Sequence, residues 1–508
     1  MSRLYLVLFL IFGLAINVSA QKQLKKIIAF ADDQYMKGDF IYALEYYKKA
    51  LEKDSNSVKL LWKYAETLKA YKDYPNAETY YAKVYAREQT KVYANSLLNL
   101  ALMQKQNGRY TQALKTLNLS AKKLANKKSS PFYLKTIREI ESCTWAKENL
   151  LDSSEFVPLY HLPETVNSVD AEFAHTIHDN KLIFSALKAD SSNNMEEVYD
   201  KAYRTKLYFS KMNKQGTFLP FKLNPDLYHK ELNYGNGSYS IDGTRYYFSV
   251  CEDDGYGYSC KIVVAERSDS SWSITDTLTS EINSLGSNTT MPFFTRINGE
   301  EHLIFSSNRR GGKGGMDLWY AKSIDGINFN TPQNIKSVNS KENEVTPYYD
   351  TLQNKLFFSS TWFNGFGGYD VYSSAYVGGL FSTPSNLGNP INSPANDLYY
   401  FGHNDSIFIS SNRKGSLYAK NPTCCSDIYA AYPTIELVTE EQIDTLVLEE
   451  KIAALLPVTL YFRNDEPDAS TWKTTTKKNY VETYEDYVLN YELYKEEVKK
   501  NLPCLLYT

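Results

Sequence analysis

The sequence predicts a multidomain chain: an all-α solenoid of helical hairpins, then an all-β propeller, then a short incomplete α/β C-terminal segment. Three observations predict it. Between positions 24 and 150 a helical pattern recurs at intervals of 34 and 36 residues. Between 160 and 432 a strand-rich pattern recurs at intervals of 51 to 64 residues. The last stretch opens as a strand, continues as an amphipathic helix and stops. The predicted divisions are 1–20 (leader), 21–150 (helical), 151–435 (propeller) and 436–508 (linker plus C-terminal segment).

In chain order, the leader comes first. Arg3 supplies a positive n-region, Leu4 to Ile16 is an apolar run broken by Gly13, and Val18-Ser19-Ala20 fits a small-residue cleavage pattern. Export is the expectation, with no later stretch long and apolar enough to span a membrane. The chain of 508 residues carries a net charge of −3 with no strongly basic stripe, which argues against a nucleic-acid partner.

The helical part rests on self-similarity. "YMKGDFIYALEYYKKAL", "AYKDYPNAETYYAKVY" and "KQNGRYTQALKTLNLSA" superpose, so that Phe40, Tyr74 and Tyr110 correspond, as do Ala43, Ala77 and Ala113. Small residues at the second set let two helices of a hairpin approach closely, and Tyr46 and Tyr80 fill the space toward the next hairpin. A helix–turn–helix period of about 34 is the tetratricopeptide signature. One hairpin cannot bury its own apolar face, so hairpins stack into a surface with a concave side that suits an extended peptide or helix. Tyr35, Trp62, Tyr64 and Asn99 are candidates for that side. Residues 131 to 150 read as a capping helix.

After Leu150 short alternating strands and Gly, Asn, Asp and Ser turns take over. "HLIFSSNRRGGKGGMDLWYAKS" aligns with "KLFFSSTWFNGFGGYDVYSSAY" and with "SIFISSNRKGS", which resumes at "SDIYAAY". Two looser copies precede them. Each copy has an Asn-Ser turn, a strand, an apolar strand ending in Phe-Ser-Ser, a glycine-rich hairpin and a strand beginning with Asp. Four strands per repeat of this length is the unit of a propeller blade. Five blades are favoured, with six as the alternative because the first interval, 64 residues from Ile183 to Tyr247, has room for a degraded copy.

Within the hairpins, Gly314, Gly315, Gly367 and Gly368, with Gly311, Gly312 and Gly365, are expected to permit positive φ. Asp317, Asp370 and Asp427 start the next strand and are expected to accept backbone N–H bonds that fix the turn. Cys251 and Cys260 flank a hairpin tip, where opposed strand ends can bring two sulfurs within bridging range. The vicinal Cys424-Cys425 is read as serving separate structural ends.

The blade motif resembles the TolB-type, WD-like propeller repeat of bacterial envelope proteins. The C-terminal "LPVTLYFRNDEPDASTWKTTTKKNYVETYEDYVLNYELYKEEVKK" opens as a strand over Val458 to Phe462 and continues as a helix from about Tyr480 to Lys499. It resembles the start of the OmpA-like, peptidoglycan-associating domain, whose remaining elements have no counterpart here, so the expectation is either a truncated domain or a segment that docks on the propeller or on another protein. The whole arrangement resembles PorE-like proteins associated with type IX secretion. The resemblance implies a periplasmic location peripheral to the outer membrane. It also implies envelope-protein partners held by the hairpins and propeller, with peptidoglycan association only in a longer form.

Chemistry is sparse. There is no GxSxG elbow, no HExxH, no P-loop, no EF-hand and no paired CxxC motif. His175-x-x-His178 lies in a strand-rich region, where residues three apart face opposite sides. No catalytic residue, cofactor site or metal site is assigned, and the expected function is a non-enzymatic envelope scaffold. The alternative is a propeller-based hydrolase of envelope glycan or peptide, with acid and base groups drawn from several blades to the hub. Carboxylates or a histidine–acid pair converging at the hub would separate the two.

Overall fold

The computed structural model describes residues 21–150, 158–189, 203–213, 217–224, 227, 232–253, 257–268, 271–419 and 421–432. The leader and the C-terminal segment with its expected strand and helix lie outside them.

Seven helices come first: α1 (21–36), α2 (Phe40–Lys53), α3 (Val58–Ala70), α4 (Tyr74–Glu88), α5 (Ser96–Gln106), α6 (Tyr110–Lys123) and α7 (Pro131–Asn149). The aligned residues explain the hairpins. Ala43, Ala77 and Ala113 have no exposed surface, because a larger side chain there would hold the paired helices apart. Asp39 and Asp73 cap α2 and α4 by accepting from the N–H groups of Tyr42 and Asn76. Gly38 and Gly108 enter their turns with φ of +76° and +75°, and Lys72 takes the left-handed place in the middle copy at +58°.

The rest of the described chain forms five four-stranded blades, the fourth with one extra short strand. Their innermost strands are Ala171–His178, Asn233–Tyr239, Thr289–Ile297, Glu344–Asp350 and Asp397–His403. The six-blade alternative falls away. The second and third strands of blade 1 end at Ala189 and begin at Tyr203, a separation that accounts for the extra length of the first interval. Leu159–His161, from the start of the propeller, pairs antiparallel with Asp427–Ala431 as the outermost strand of blade 5 and closes the ring. The strand pairing ties the start of the propeller to its end, and the radial blades leave only short sheet edges.

The Asn-Ser turn has a specific task. In four connections the asparagine side chain behaves like a neighbouring strand. Asn167, Asn283, Asn339 and Asn392 each accept from the N–H, and donate to the C=O, of one residue on a third strand: Ile428, Ile262, Leu318 and Val371. These pinches satisfy the four N–H groups and give a second donor to carbonyls that also accept from the backbone N–H of Leu162, Leu278, Ile335 and Leu387.

Helices and propeller belong to one compact unit. Blade 4's glycine-rich hairpin enters the helical region. Phe366 is fully buried in a cluster with Leu98, Ala101, Tyr110, Ala113, Leu117, Cys143 and Ala146, with Trp145 packed against it. Tyr110 Oη donates to Phe366 O at 2.9 Å, and Ser142 Oγ exchanges hydrogen bonds with the backbone of Gly365 at 3.1 Å. Lys135 bridges Glu139 on its own helix and Glu342 of the propeller at 2.9 and 2.8 Å. Blade 5 adds Asn396 to Tyr74 Oη and Thr423 to Lys72 O.

Candidate functional site: the propeller hub

Every innermost strand carries a β-bulge at the same step, between Phe173/Thr176, Gly235/Ser238, Thr290/Phe293, Val345/Tyr348 and Leu398/Phe401. In each, the first inserted residue is left-handed although none is glycine: Ala174, Asn236, Met291, Thr346 and Tyr399 have φ of +53° to +56°. Non-glycine residues held there cost on the order of 1 kcal/mol or more, and such strain gathers at functional sites. The ten inserted residues line a hub cavity of about 50 Å³ together with Thr176, Ser238, Phe293, Tyr348 and Phe401. The volume suits a few waters or one substituent of a larger ligand.

The Phe-Ser-Ser motif builds this ring. In four blades its first serine reaches a bulge: Ser185 Oγ accepts from Asn236 N, Ser249 Oγ from Met291 N, Thr346 Oγ1 donates to Ser359 Oγ, and Ser410 Oγ lies 3.3 Å from His175 Nδ1. Its second serine reaches the residue two before the bulge's left-handed position. Ser360 donates to Glu344, Ser411 to Asp397, and Ser307 meets Thr289. Blade 1 has Glu172 at that step, held instead by Ser168 and by Lys188 at 3.0 Å. Burial raises the carboxyls of Glu172 and Glu344 above their ordinary value, against the pull of their serine hydrogen bonds. Arg413 completes the Asp397 clamp at 2.6 Å.

Among the described residues no charged side chain lines the cavity, so the converging carboxylates expected of a hub hydrolase are not seen there. Its walls are aromatic (Phe293, Tyr348, Tyr399, Tyr400, Phe401) and neutral polar (Asn236, Ser238, Thr346, His175). Tyr399 Oη donates to Asn236 Oδ1 at 3.2 Å, linking blade 5 to blade 2. Burial pushes His175 down to about 4, so its ring is neutral at neutral pH. Among the described residues no group of three or more His, Cys, Asp or Glu is placed to hold a metal ion.

The residues singled out in the sequence lie elsewhere, in the hairpins. Asp317 accepts from Lys313 N and Gly314 N, Asp370 from Phe366 N and Gly367 N, and Asp427 from Leu417 N and His161. The reason given for the glycines needs correction. Of the seven, only Gly311 has positive φ, at +90°. A Cβ on Gly314 would lie 2.4 Å from Glu342 O, and one on Gly367 2.0 Å from Ala395 O. Gly315 and Gly368 are similarly crowded by Asn343 and Asn396. The glycines allow each hairpin to lie against the connection into the next blade. Cys251 and Cys260 face each other on paired strands and are joined by a disulfide. Cys424 and Cys425 are also joined to each other, which corrects their reading as separate structural ends. The bulges and the hub lining were missed, because a bulge changes register without changing composition.

No family model and no curated protein matches the chain. Among solved structures, the type III secretion translocator chaperone SycD of Yersinia enterocolitica is 18% identical, covering 25% of this chain and 88% of its own, with a TM-score of 0.23. CoXyl43, a GH43 β-xylosidase/α-arabinofuranosidase from a compost microbial metagenome, is 12% identical over 53% of this chain and 93% of its own, TM-score 0.35. A glycosidase so described from Bacteroides thetaiotaomicron is 11% identical over 57% and 98%, TM-score 0.33. The expectation of a non-enzymatic scaffold, and with it the expectation that the chain is not an enzyme, is corrected here. Part of the helical surface on which it rested is filled by the chain's own Phe366 hairpin. The solved structures that match over the propeller's share of the chain are described as glycoside hydrolases and not as scaffolds. At these scores the likeness itself assigns neither an activity nor a substrate.

Proposed function

We propose that this chain is an exported, glycan-acting propeller protein whose substrate is a neutral saccharide engaged at the hub. The observation that carries the reading is the lining of the hub cavity, which combines aromatic faces with uncharged donors and acceptors and has no charged side chain. Aromatic faces pack against the C–H faces of a sugar ring, and a few fixed polar groups read its hydroxyls. An anionic or cationic ligand would find no counter-charge there. The cavity volume fits one substituent of the sugar, with the ring at its mouth.

Hydrolysis of a glycosidic bond runs on a pair of carboxyl groups. The innermost strands carry three at one equivalent step, Glu172, Glu344 and Asp397, but each is fully buried, held by serines or a cation, and outside the cavity lining, so the hub supports saccharide binding more directly than hydrolysis. Export is supported by the leader and by the two disulfides, which suit an oxidising compartment. The finer family reading belongs to this proposal too: tetratricopeptide hairpins, a TolB-type propeller and the OmpA-like opening of PorE-like envelope proteins, located at the periplasmic side of the outer membrane.

The test is titration calorimetry of the full chain with xylo-oligosaccharides and N-acetylglucosamine oligomers, with release of reducing ends followed in parallel. Saturable binding that is lost in Tyr348→Ala supports the reading. Absence of both binding and turnover across the panel overturns it.

A further inference from the structure

We infer that the end of the last helical hairpin, from Lys115 to Leu134, is a docking surface for an anionic lipid bilayer. Its lysines face the lipid headgroups, and Leu119, Phe132 and Leu134 enter the interfacial layer. The inference concerns the helical region and stands independently of the saccharide reading of the hub.

From Gln89 to Arg138 the sequence has ten lysines and arginines and no aspartate or glutamate. Four of the ten are committed: Lys105, Arg109, Lys135 and Arg138 pair with carboxylates. Five of the other six, Lys115, Lys122, Lys123, Lys127 and Lys128, gather along the outer side of α6 and in the turn to α7. All five are exposed and make no ion pair among the described residues. The whole-chain charge of −3 hides this concentration. Helix-end electrostatics account for Lys122 and Lys123, in the last turn of α6. They do not account for Lys115, in mid-helix, or for Lys127 and Lys128, beyond it. Apolar side chains stand among the charges. Leu119 lies one turn from Lys115 on one side and from Lys122 and Lys123 on the other, opposite the buried Ala113, Leu117 and Ser120. Phe132 and Leu134 are in the first turn of α7, and the three are 37%, 41% and 47% exposed in chain order. The end is firmly built: Leu124 is buried, the hydroxyls of Ser120 and Thr136 meet at 3.2 Å, and Ser130 caps α7 by accepting from Tyr133 N. Equivalent turns of stacked hairpins follow one edge of a solenoid, and the preceding one adds Lys91 beside the exposed Val92. Unpaired lysines interleaved with exposed apolar side chains suit a bilayer surface, which offers anionic phosphate outside and apolar chains just beneath. An acidic polypeptide or a nucleic acid would match the lysines alone.

The test is sedimentation of the full chain with vesicles of phosphatidylcholine alone and of phosphatidylcholine with about one third phosphatidylglycerol, at low and at high salt. Binding is expected to the anionic vesicles only, and to weaken as salt rises. The combined variant Lys122→Gln, Lys123→Gln, Lys127→Gln and Lys128→Gln should lose about a hundredfold or more, since each lysine near such a surface contributes about fivefold. Phe132→Ser with Leu134→Ser keeps every charge and should lose about tenfold. A control removes the same charge from the propeller, Lys222→Gln, Lys336→Gln, Lys341→Gln and Lys414→Gln combined, and should bind like the wild type. The side chains replaced are all exposed, and melting temperatures are measured alongside. If the serine variant does not fold, Leu119→Ser takes its place. An equal loss in the control would mean that net charge and not this surface binds, and overturns the proposal. Absence of vesicle binding, or equal binding to both kinds of vesicle, also overturns it. Unchanged binding in the folded serine variant removes the apolar contact on which the choice of a bilayer rests, and overturns it too. Soluble polyglutamate bound through these lysines while vesicles are not would make the partner an acidic polypeptide, and the lipid proposal falls.

Discussion

Asp370 shows how one side chain couples the propeller to the helices. Its carboxylate accepts from Phe366 N at 2.9 Å and Gly367 N at 3.0 Å, the two amides that present Phe366 to the helical region. Burial pushes the carboxyl from its ordinary 3.8 up to about 7; Lys105 pulls it down and Asp397 pushes it up. The native state therefore holds the proton more tightly than the unfolded chain. The stabilisation is fully present below about pH 4 and is lost as pH rises through about 7. Urea midpoints of the wild type are expected to fall between pH 5 and pH 8 relative to those of Asp370→Asn, which cannot ionise. Parallel midpoints across that window would show that Asp370 titrates in the ordinary carboxylate range. Nearby, Lys105 and Glu139 form a buried pair at 2.9 Å, and its attraction, with that of Lys135, holds Glu139 down to about 2 against the effect of burial. Neither side of this arrangement is visible in the sequence, because Asp370 and Glu139 are more than two hundred residues apart and belong to different repeats.

At the scale of the element, the asparagine pinch does the work of a strand. Asn339 closes on Leu318 with bonds of 2.8 and 2.9 Å, both buried. Asn339→Ala leaves the buried Leu318 N–H unpaired, while Leu318 O keeps the Ile335 N–H, and is expected to cost about 1–3 kcal/mol, read from the denaturant midpoint. Asn339→Asp should cost a similar amount, since a carboxylate accepts but cannot donate. A loss below about 0.5 kcal/mol in both variants would mean that water replaces the side chain. The repeat that makes these pinches was legible because each motif residue recurs for a local reason: the asparagine for the third strand, the serines for the hub ring, the aspartate for its hairpin. The alanines of the helical hairpins were legible on the same grounds. The function of the hairpin glycines was not, since sequence shows that a residue is small but not whether φ or a neighbour demands it. The hub lay further out of reach. No residue type is common to all of the inserted pairs Ala174-His175, Asn236-Gly237, Met291-Pro292, Thr346-Pro347 and Tyr399-Tyr400. What they share is a backbone conformation.

At the scale of the molecule, the helical region and the ring hold each other through side chains as well as through the covalent chain. Phe366 is fully enclosed by residues of α5, α6 and α7, while Lys135, Arg138 and Ser142 grip the backbone or acidic groups of blade 4 and its approach. Burying a phenylalanine contributes about 2–3 kcal/mol, and truncating one in a packed core costs about 3–5 kcal/mol. The surrounding hydrogen bonds each add about 1 kcal/mol. Together with the other apolar contacts of the cluster, these interactions are expected to keep the two parts together at micromolar concentration once the link is cut. A protease site placed within residues 151–157 therefore tests the joint directly. After cleavage, the two pieces of the wild type are expected to elute together in gel filtration at micromolar concentration. In Phe366→Ala they should separate, with the melting temperature of the uncleaved variant lowered as well. Separation of the wild-type pieces would mean that the helical region is held chiefly by the covalent chain, and that its inner face is open to other occupants whenever the hairpin withdraws.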